Sequence, residues 1–180
     1  LSLVGSEMCI RDRLRETQLV VCLLFQYAGM SFVDFAHLKE RNIKNGILDY
    51  NRQKTGTPMR LEILDTAELM RKELMGDKRP ASGYLFPFLS GTKTGYEAYL
   101  EYNAALSRFN RNLKALKKAA GIASDVTSYT IRHSFAMALK EQNVPIEMIS
   151  ELLGHKSIKT TQIYLRSFSL EKMTEVNSTC

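Results

Sequence analysis

Apolar residues change their spacing several times along this chain of 180 residues, and each change marks an element. Residues 16–27 carry apolar side chains on most sides of a helical wheel, which predicts a buried helix. Gly29 and Ser31 break it, and residues 32–39 read as a second, short helix. Ile47-Leu48-Asp49-Tyr50-Asn51 alternates with period two, and so does Met59-Arg60-Leu61-Glu62-Ile63. Lys54-Thr55-Gly56-Thr57-Pro58 lies between them with turn chemistry, so the pair predicts a β-hairpin. Asp65 suits the N-cap of a helix running to Met75. Residues 76–95 are rich in glycine and proline and read as a loop around a short apolar piece, residues 84–89. Tyr99, Tyr102, Leu106, Phe109, Leu113, Leu116 and Ala120 then recur at steps of three or four, predicting a helix over 96–120 that Gly121 ends. Residues 128–140 and 145–153 read as two more helices, the second capped by Gly154. Ser157 suits the N-cap of a last helix bearing Tyr164, and residues 169–176 read as a short terminal helix. The expected fold is mainly α with a small antiparallel β-sheet near residues 41–64, an α+β domain.

Composition narrows the setting. The length allows one domain with a real core, and a hydrophobic fraction of 44% is that of an ordinary globular protein. The longest apolar run, residues 19–25, is far too short to span a membrane, and no signal peptide pattern leads the chain. A cytoplasmic protein with no membrane partner is expected. Cys9, Cys22 and Cys180 have no CxxC spacing, which points away from a disulfide framework or a zinc site, and Cys22 reads as a buried thiol. Metal and nucleotide motifs are missing: no HExxH, no P-loop and no clustered carboxylates, so neither a metal nor a cofactor is expected. Gly91-Thr92-Lys93-Thr94-Gly95 lacks P-loop spacing and reads as loop.

The net charge of +6 and pI near 9.2 favour a polyanionic partner, although a solvated basic surface gives the same numbers. Arg108, Arg111, Lys114, Lys117 and Lys118 share the long helix predicted over 96–120. At ~100° per residue most of this charge falls about 150° from the apolar stripe. That face either meets solvent alone or lies along a nucleic-acid backbone.

The first thirteen residues do not read like natural protein. Leu3-Val4-Gly5-Ser6-Glu7-Met8-Cys9-Ile10-Arg11-Asp12-Arg13 resembles a translated sequencing adapter, so residues 1–13 are set aside and the domain is taken as residues 14–180. The charge argument survives, because Arg11 and Arg13 offset Glu7 and Asp12.

The candidate chemistry lies near the C-terminus. Gly154-His155-Lys156-Ser157-Ile158-Lys159-Thr160-Thr161-Gln162-Ile163 runs straight into Tyr164, and Arg132-His133-Ser134-Phe135-Ala136 lies upstream. Arginine can hold a phosphodiester, histidine can stabilise charge developing on it, and a tyrosine phenol can attack its phosphorus without a metal. These segments resemble the C-terminal boxes of tyrosine recombinases, the phage-integrase family, with gaps from about Leu19 to Tyr164.

The resemblance implies a recombinase catalytic-domain fold and strand exchange through a 3′-phosphotyrosyl link. It implies Tyr164 as nucleophile, Arg132 as phosphate clamp and His155 on a nonbridging oxygen. It also implies Lys54, on the hairpin tip, as proton donor to the leaving 5′-oxygen. His133 lies about 100° round the helix from Arg132 and reads as structural. Double-stranded DNA attachment sites, a homotetramer on DNA, accessory DNA-bending proteins and a nucleoid-associated bacterial setting follow from the same resemblance. Whole members carry an N-terminal DNA-clamping, or core-binding, domain, which is expected to be missing here.

Two positions depart from the family pattern. The early arginine belongs to a Gly-x-Arg-x-x-Glu-like run, which here reads Gly29-Met30-Ser31-Phe32-Val33-Asp34. Serine stands at the arginine position, and Asp34 matches the acid. Some integrases of Bacteroides-type mobile elements resemble this run. Losing one such donor costs roughly 10²–10³ in rate unless another cation supplies it. Arg41 and Arg60 are near in sequence, and neither is assigned. Tyr129 stands three before Arg132 where the family usually has histidine; it shares that helix face and can donate a hydrogen bond to phosphate. Two other readings stay open at this point: a helix-turn-helix-like DNA-binding module over 131–153, and a degenerate recombinase that binds DNA without cutting it.

Overall fold

The first helix is built around one buried stripe. In the computed structural model, which describes residues 2–76 and 83–165, α1 spans Ser2–Gln26. Thr17, Leu19, Val20, Leu23 and Leu24 are buried along it, followed by Tyr27 just beyond its end. The helix therefore begins well before residue 16, inside the segment set aside. Nor is it apolar all round: Phe25 is exposed and Cys22, at the edge of the stripe, is only partly buried.

Ala28 and Gly29 take positive φ values and turn the chain sharply into α2 (Phe32–Ala36), whose N-cap is Ser31. This helix is shorter than its pattern predicts. Leu38 instead accepts a hydrogen bond from Leu85 N–H at 2.7 Å, and Lys39 forms a bridge with Tyr84. Residues 84–89, a loop as expected, thus send Leu85, Phe86 and Leu89 into the core. Phe35 stacks on Phe86 at 4.1 Å and Phe32 on Phe109 at 4.7 Å. Such pairs contribute about 0.5–1.5 kcal/mol each beyond the area they bury.

The sheet has three antiparallel strands in sequence order: β1 (Ile43–Lys44), β2 (Ile47–Asn51) and β3 (Pro58–Glu62). β2 and β3 form the expected hairpin, with Leu48 opposite Leu61 and Tyr50 opposite Met59. Period two puts Leu48, Tyr50 and Met59 inward and their neighbours outward. α3 (Asp65–Met75) follows, with Leu64 rather than Asp65 at the N-cap. Asp65 sits one place inside the helix, where its charge complements the helix N-terminus.

α4 (Gly95–Ala119) lays Ala105, Phe109 and Leu113 on the core, and Gly121 beyond it has φ +67°. α5 (Ser128–Glu141) starts from Thr127, which forms a capping box with Thr130. A cap of this kind is worth ~1 kcal/mol. α6 (Ile146–Leu152) and α7 (Ile158–Tyr164) complete the order, the latter capped by Ser157 as expected. Residues 169–176 lie outside the described residues. Two cores result: a large one spanning α1–α4 and the hairpin, and a small one of Ala136, Ile149, Leu153 and Leu165. No described helix is long and apolar enough to cross a membrane.

Candidate active site

The seam between these two cores collects the polar groups singled out in the sequence. Arg132, on α5, is buried at 6% exposure. Its Nη1 donates to the Gly29 carbonyl at 2.9 Å and its Nη2 to the Leu153 carbonyl, joining the end of α1 to the end of α6. Gly29 is required on two counts. Its φ is +62°, and a Cβ there would lie 2.8 Å from Phe135 Cδ1. Phe135 in turn packs edge-on against Phe25 at 5.3 Å.

His155 follows Gly154 in the turn between α6 and α7. Its Nδ1 lies 2.8 Å from Thr161 Oγ1, one turn into α7, and Thr161 is fully buried. Burial first, and then the charges of Arg132 and Arg52, bring the His155 imidazole down to about 4. The ring is therefore neutral at pH 7.

Tyr164 ends α7 with its ring inside an aromatic box. Edge-on neighbours are His133 at 5.2 Å, Tyr129 at 5.7 Å and His155 at 5.9 Å. Its hydroxyl is buried and has no hydrogen-bond partner among the described residues. Burial pushes this phenol upward, with the neighbouring Tyr129 hydroxyl adding to the effect and Arg132 opposing it. Arg132 is itself lowered to about 10, by burial first and then by the charge of Arg52.

Arg132, His155, Tyr164 and Tyr129 thus come together. Lys54 does not touch them: it is exposed at the hairpin tip, in a loop closed by Gly56 N–H to Arg52 O at 2.8 Å and Arg52 N–H to Thr57 O at 2.9 Å. Arg108, Arg111, Lys114 and Lys118 are all exposed on α4, while Lys117 pairs with Asp125 at 3.3 Å. Arg41 and Arg60 are exposed, Arg60 on β3 across from Asp49. No group of three metal-ligating side chains occurs among the described residues.

Two further residues enter the site. His133, read from the sequence as structural, packs edge-on against the Tyr164 ring at 5.2 Å; it stands four after Tyr129, so these two share a face. Arg52 was not singled out. Arg52 is buried at 9% exposure, with Nη1 donating to Leu153 O at 2.8 Å and Gly154 O at 3.3 Å. Its Nε lies 3.4 Å from Asp34 Oδ2, while Asp34 Oδ1 accepts from Gln53 N–H at 2.7 Å. Nothing local marks Arg52, because its carbonyl partners lie about a hundred residues downstream.

Residues 7–171 match the model of the phage integrase family, and the chain belongs to that family. Among curated relatives, tyrosine recombinase XerA of Pyrococcus furiosus is 32% identical over 164 residues, covering 89% of this chain and 53% of that protein. Tyrosine recombinase XerD of Lacticaseibacillus casei is 52% identical over a shorter stretch of 54 residues, 30% of this chain and 18% of that one. The chain spans about half the length of XerA. The crystal structure of XerA recombinase superposes with a TM-score of 0.65 at 22% identity, over 94% of this chain and 62% of that one. The Tn1549 transposon integrase in complex with circular-intermediate DNA gives 0.62 at 14% identity, over 90% and 58% respectively. These structures share the fold: helices around a small antiparallel sheet, the tyrosine recombinase catalytic-domain architecture.

Proposed function

We propose that residues 14–180 form the catalytic domain of a site-specific DNA recombinase that cuts and rejoins strands through a 3′-phosphotyrosyl intermediate. The observation that carries this reading is the Tyr164 hydroxyl, buried without a partner among the described residues, beside a neutral His155 and a buried Arg132. An unsatisfied buried hydroxyl is uncommon and calls for an explanation, and a phosphorus electrophile supplies one.

In this reading Arg132 clamps the scissile phosphate through its forked donors. With Thr161 donating to Nδ1, the neutral His155 carries its proton on Nε2 and donates it to a nonbridging oxygen. Tyr129 adds a phenol hydrogen bond at the same phosphate. The Tyr164 Oη–P bond forms as the P–O5′ bond breaks; the phenol proton is released to water, and Lys54 protonates the 5′-oxygen. Bond energy is kept in the phosphotyrosyl ester, so rejoining needs no ATP. Arg108, Arg111, Lys114 and Lys118 lie along the DNA backbone. The partners are double-stranded attachment-site DNA, three further copies of the protein in a tetramer and accessory DNA-bending proteins, in the bacterial cytoplasm at the nucleoid. The relatives' names, XerA and XerD tyrosine recombinases, support this reading.

The test mixes the chain, or its Tyr164→Phe variant, with nicked duplexes of random sequence and looks for an SDS-resistant, protease-sensitive protein–DNA adduct. An adduct with the unaltered chain alone is expected. DNA binding without any adduct, or an adduct that survives Tyr164→Phe, would overturn the reading.

A further inference from the structure

The run from Gly29 to Asp34 leaves a serine where the family resemblance places a phosphate-binding arginine, yet that serine is fully engaged. Ser31 caps α2, and its Oγ donates to Asp34 Oδ2 at 2.6 Å. Asp34 is 2% exposed and holds the start of the hairpin loop through Gln53 N–H. The same carboxylate faces Arg52 Nε at 3.4 Å. A chain of contacts therefore runs from Ser31 through Asp34 to a guanidinium that enters the site from the residue just after β2 instead of from the end of α1.

That guanidinium stands beside Arg132. Both donate to one acceptor, the Leu153 carbonyl, so the two forks meet at a single oxygen atom. The backbone is shaped to admit it: a Cβ on Gly154 would lie 2.7 Å from Arg52 Cδ and 2.5 Å from Met59 Sδ. Arg52 Nη2 has no protein partner among the described residues. Two buried guanidiniums thus accompany one buried carboxylate, and the His155 imidazole, held down by burial and by the charges of both arginines, is neutral. Like charges at this separation repel strongly away from water, and an anion seated between them removes the imbalance.

We propose that Arg52 is the second phosphate-clamping guanidinium of this site, positioned by Ser31 and Asp34, so that the scissile phosphodiester is held between Arg52 and Arg132. Arg52 stands two residues before Lys54, so the hairpin delivers both its clamp and its proton donor as one piece. This inference rests on the recombinase reading above.

The competing role for Arg52 is a purely structural tie between the hairpin and the α6–α7 turn. A charge-deleted substrate separates the two. The most reactive nicked duplex from the random-sequence pool is remade with a neutral methylphosphonate at its mapped scissile position. On the ordinary diester, Arg52→Ala is expected to slow adduct formation by roughly 10²–10³. On the methylphosphonate, which has no negative charge to balance, it is expected to come within about tenfold of the unaltered chain. Asp34→Asn, which loosens the guanidinium, shows a smaller loss with the same recovery. Arg52→Lys keeps the charge without the fork and carries the test if Arg52→Ala does not fold: at least a tenfold loss on the diester, recovered on the methylphosphonate. Equal losses on both substrates, or none on the diester, would overturn the role of Arg52 while leaving the recombinase reading intact. No adduct from the unaltered chain on any duplex would instead overturn that reading, and the role of Arg52 with it.

Discussion

The large core and the small core of this domain are built differently. α1 to α4 and the hairpin enclose rings such as Phe32, Phe35, Phe86 and Phe109 in one continuous apolar cluster. α5 to α7 enclose four buried residues: Ala136, Ile149, Leu153 and Leu165. Of the groups proposed for chemistry, Arg132, His155, Tyr164 and Tyr129 lie on the smaller unit, Lys54 and Arg52 lie on the hairpin of the larger one, and buried arginines tie the two. Arg132 reaches from α5 to Gly29, while Arg52 reaches from the hairpin to Leu153 and Gly154. The lesson is that apolar packing holds the scaffold and reaches α5 through Ile131 and Phe135, while charged donors on backbone carbonyls add the polar ties between the hairpin, α5 and the α6–α7 turn.

Breaking the two cores in turn tests that contrast. Phe35→Ala is expected to cost about 3–5 kcal/mol and lower the denaturant midpoint of the whole domain. Leu153→Ala is expected to cost about 2–5 kcal/mol, with hydrogen-exchange protection lost first in α5 to α7. Protection lost uniformly in both variants would erase the distinction between the units.

A subtler break acts at the tie. Gly154→Ala forces a Cβ against Arg52 and Met59 at φ +61°, and is expected to cost about 1–3 kcal/mol in thermal unfolding. It should also impair the adduct, because Arg52 must move. Stability unchanged within error would show that the turn does not hold Arg52 tightly.

His155 gives the contrast a pH signature. Its folded value of about 4 lies below the ordinary 6.5, so as pH falls the unfolded chain takes up this proton first. The corresponding stability is fully present above about pH 6.5 and is lost as pH falls toward 4. For a half-buried ring the loss is on the order of 2 kcal/mol or less. Unfolding of His155→Gln measured across this range should lack that component.

The smallest effect on folding belongs to the exposed face of α4. Replacing Arg108, Arg111, Lys114 and Lys118 with alanine is expected to change stability by less than about 0.5 kcal/mol per site. If all four meet phosphates, the slope of log affinity against log salt should flatten by about 3 to 4. An unchanged slope would make that face plain solvent surface.

Much of this was legible along the chain. Period two marked β2 and β3, and the steps of three and four marked α4, because each pattern reports a single buried face. Boundaries that depend on distant partners were not. α2 ends at Ala36 because Leu38 and Lys39 are taken up by the loop bearing Tyr84 and Leu85. β1, with two residues, is too short to show a period. In the site, Arg132, His155 and Tyr164 stood out because they are held in boxes of local sequence. Arg52 did not, since its partners at Leu153 and Gly154 meet it only after folding.

In the proposed reaction the Tyr164 phenol, and no other, forms the bond to DNA. Tyr129 is the sharpest rival: it stands 5.7 Å away, ring to ring, and is 62% exposed. The decisive measurement is mass-spectrometric mapping of the trapped adduct after proteolysis. A nucleotide-linked peptide modified at Tyr164 is expected. A nucleotide carried on Tyr129, or on any other residue, would contradict it.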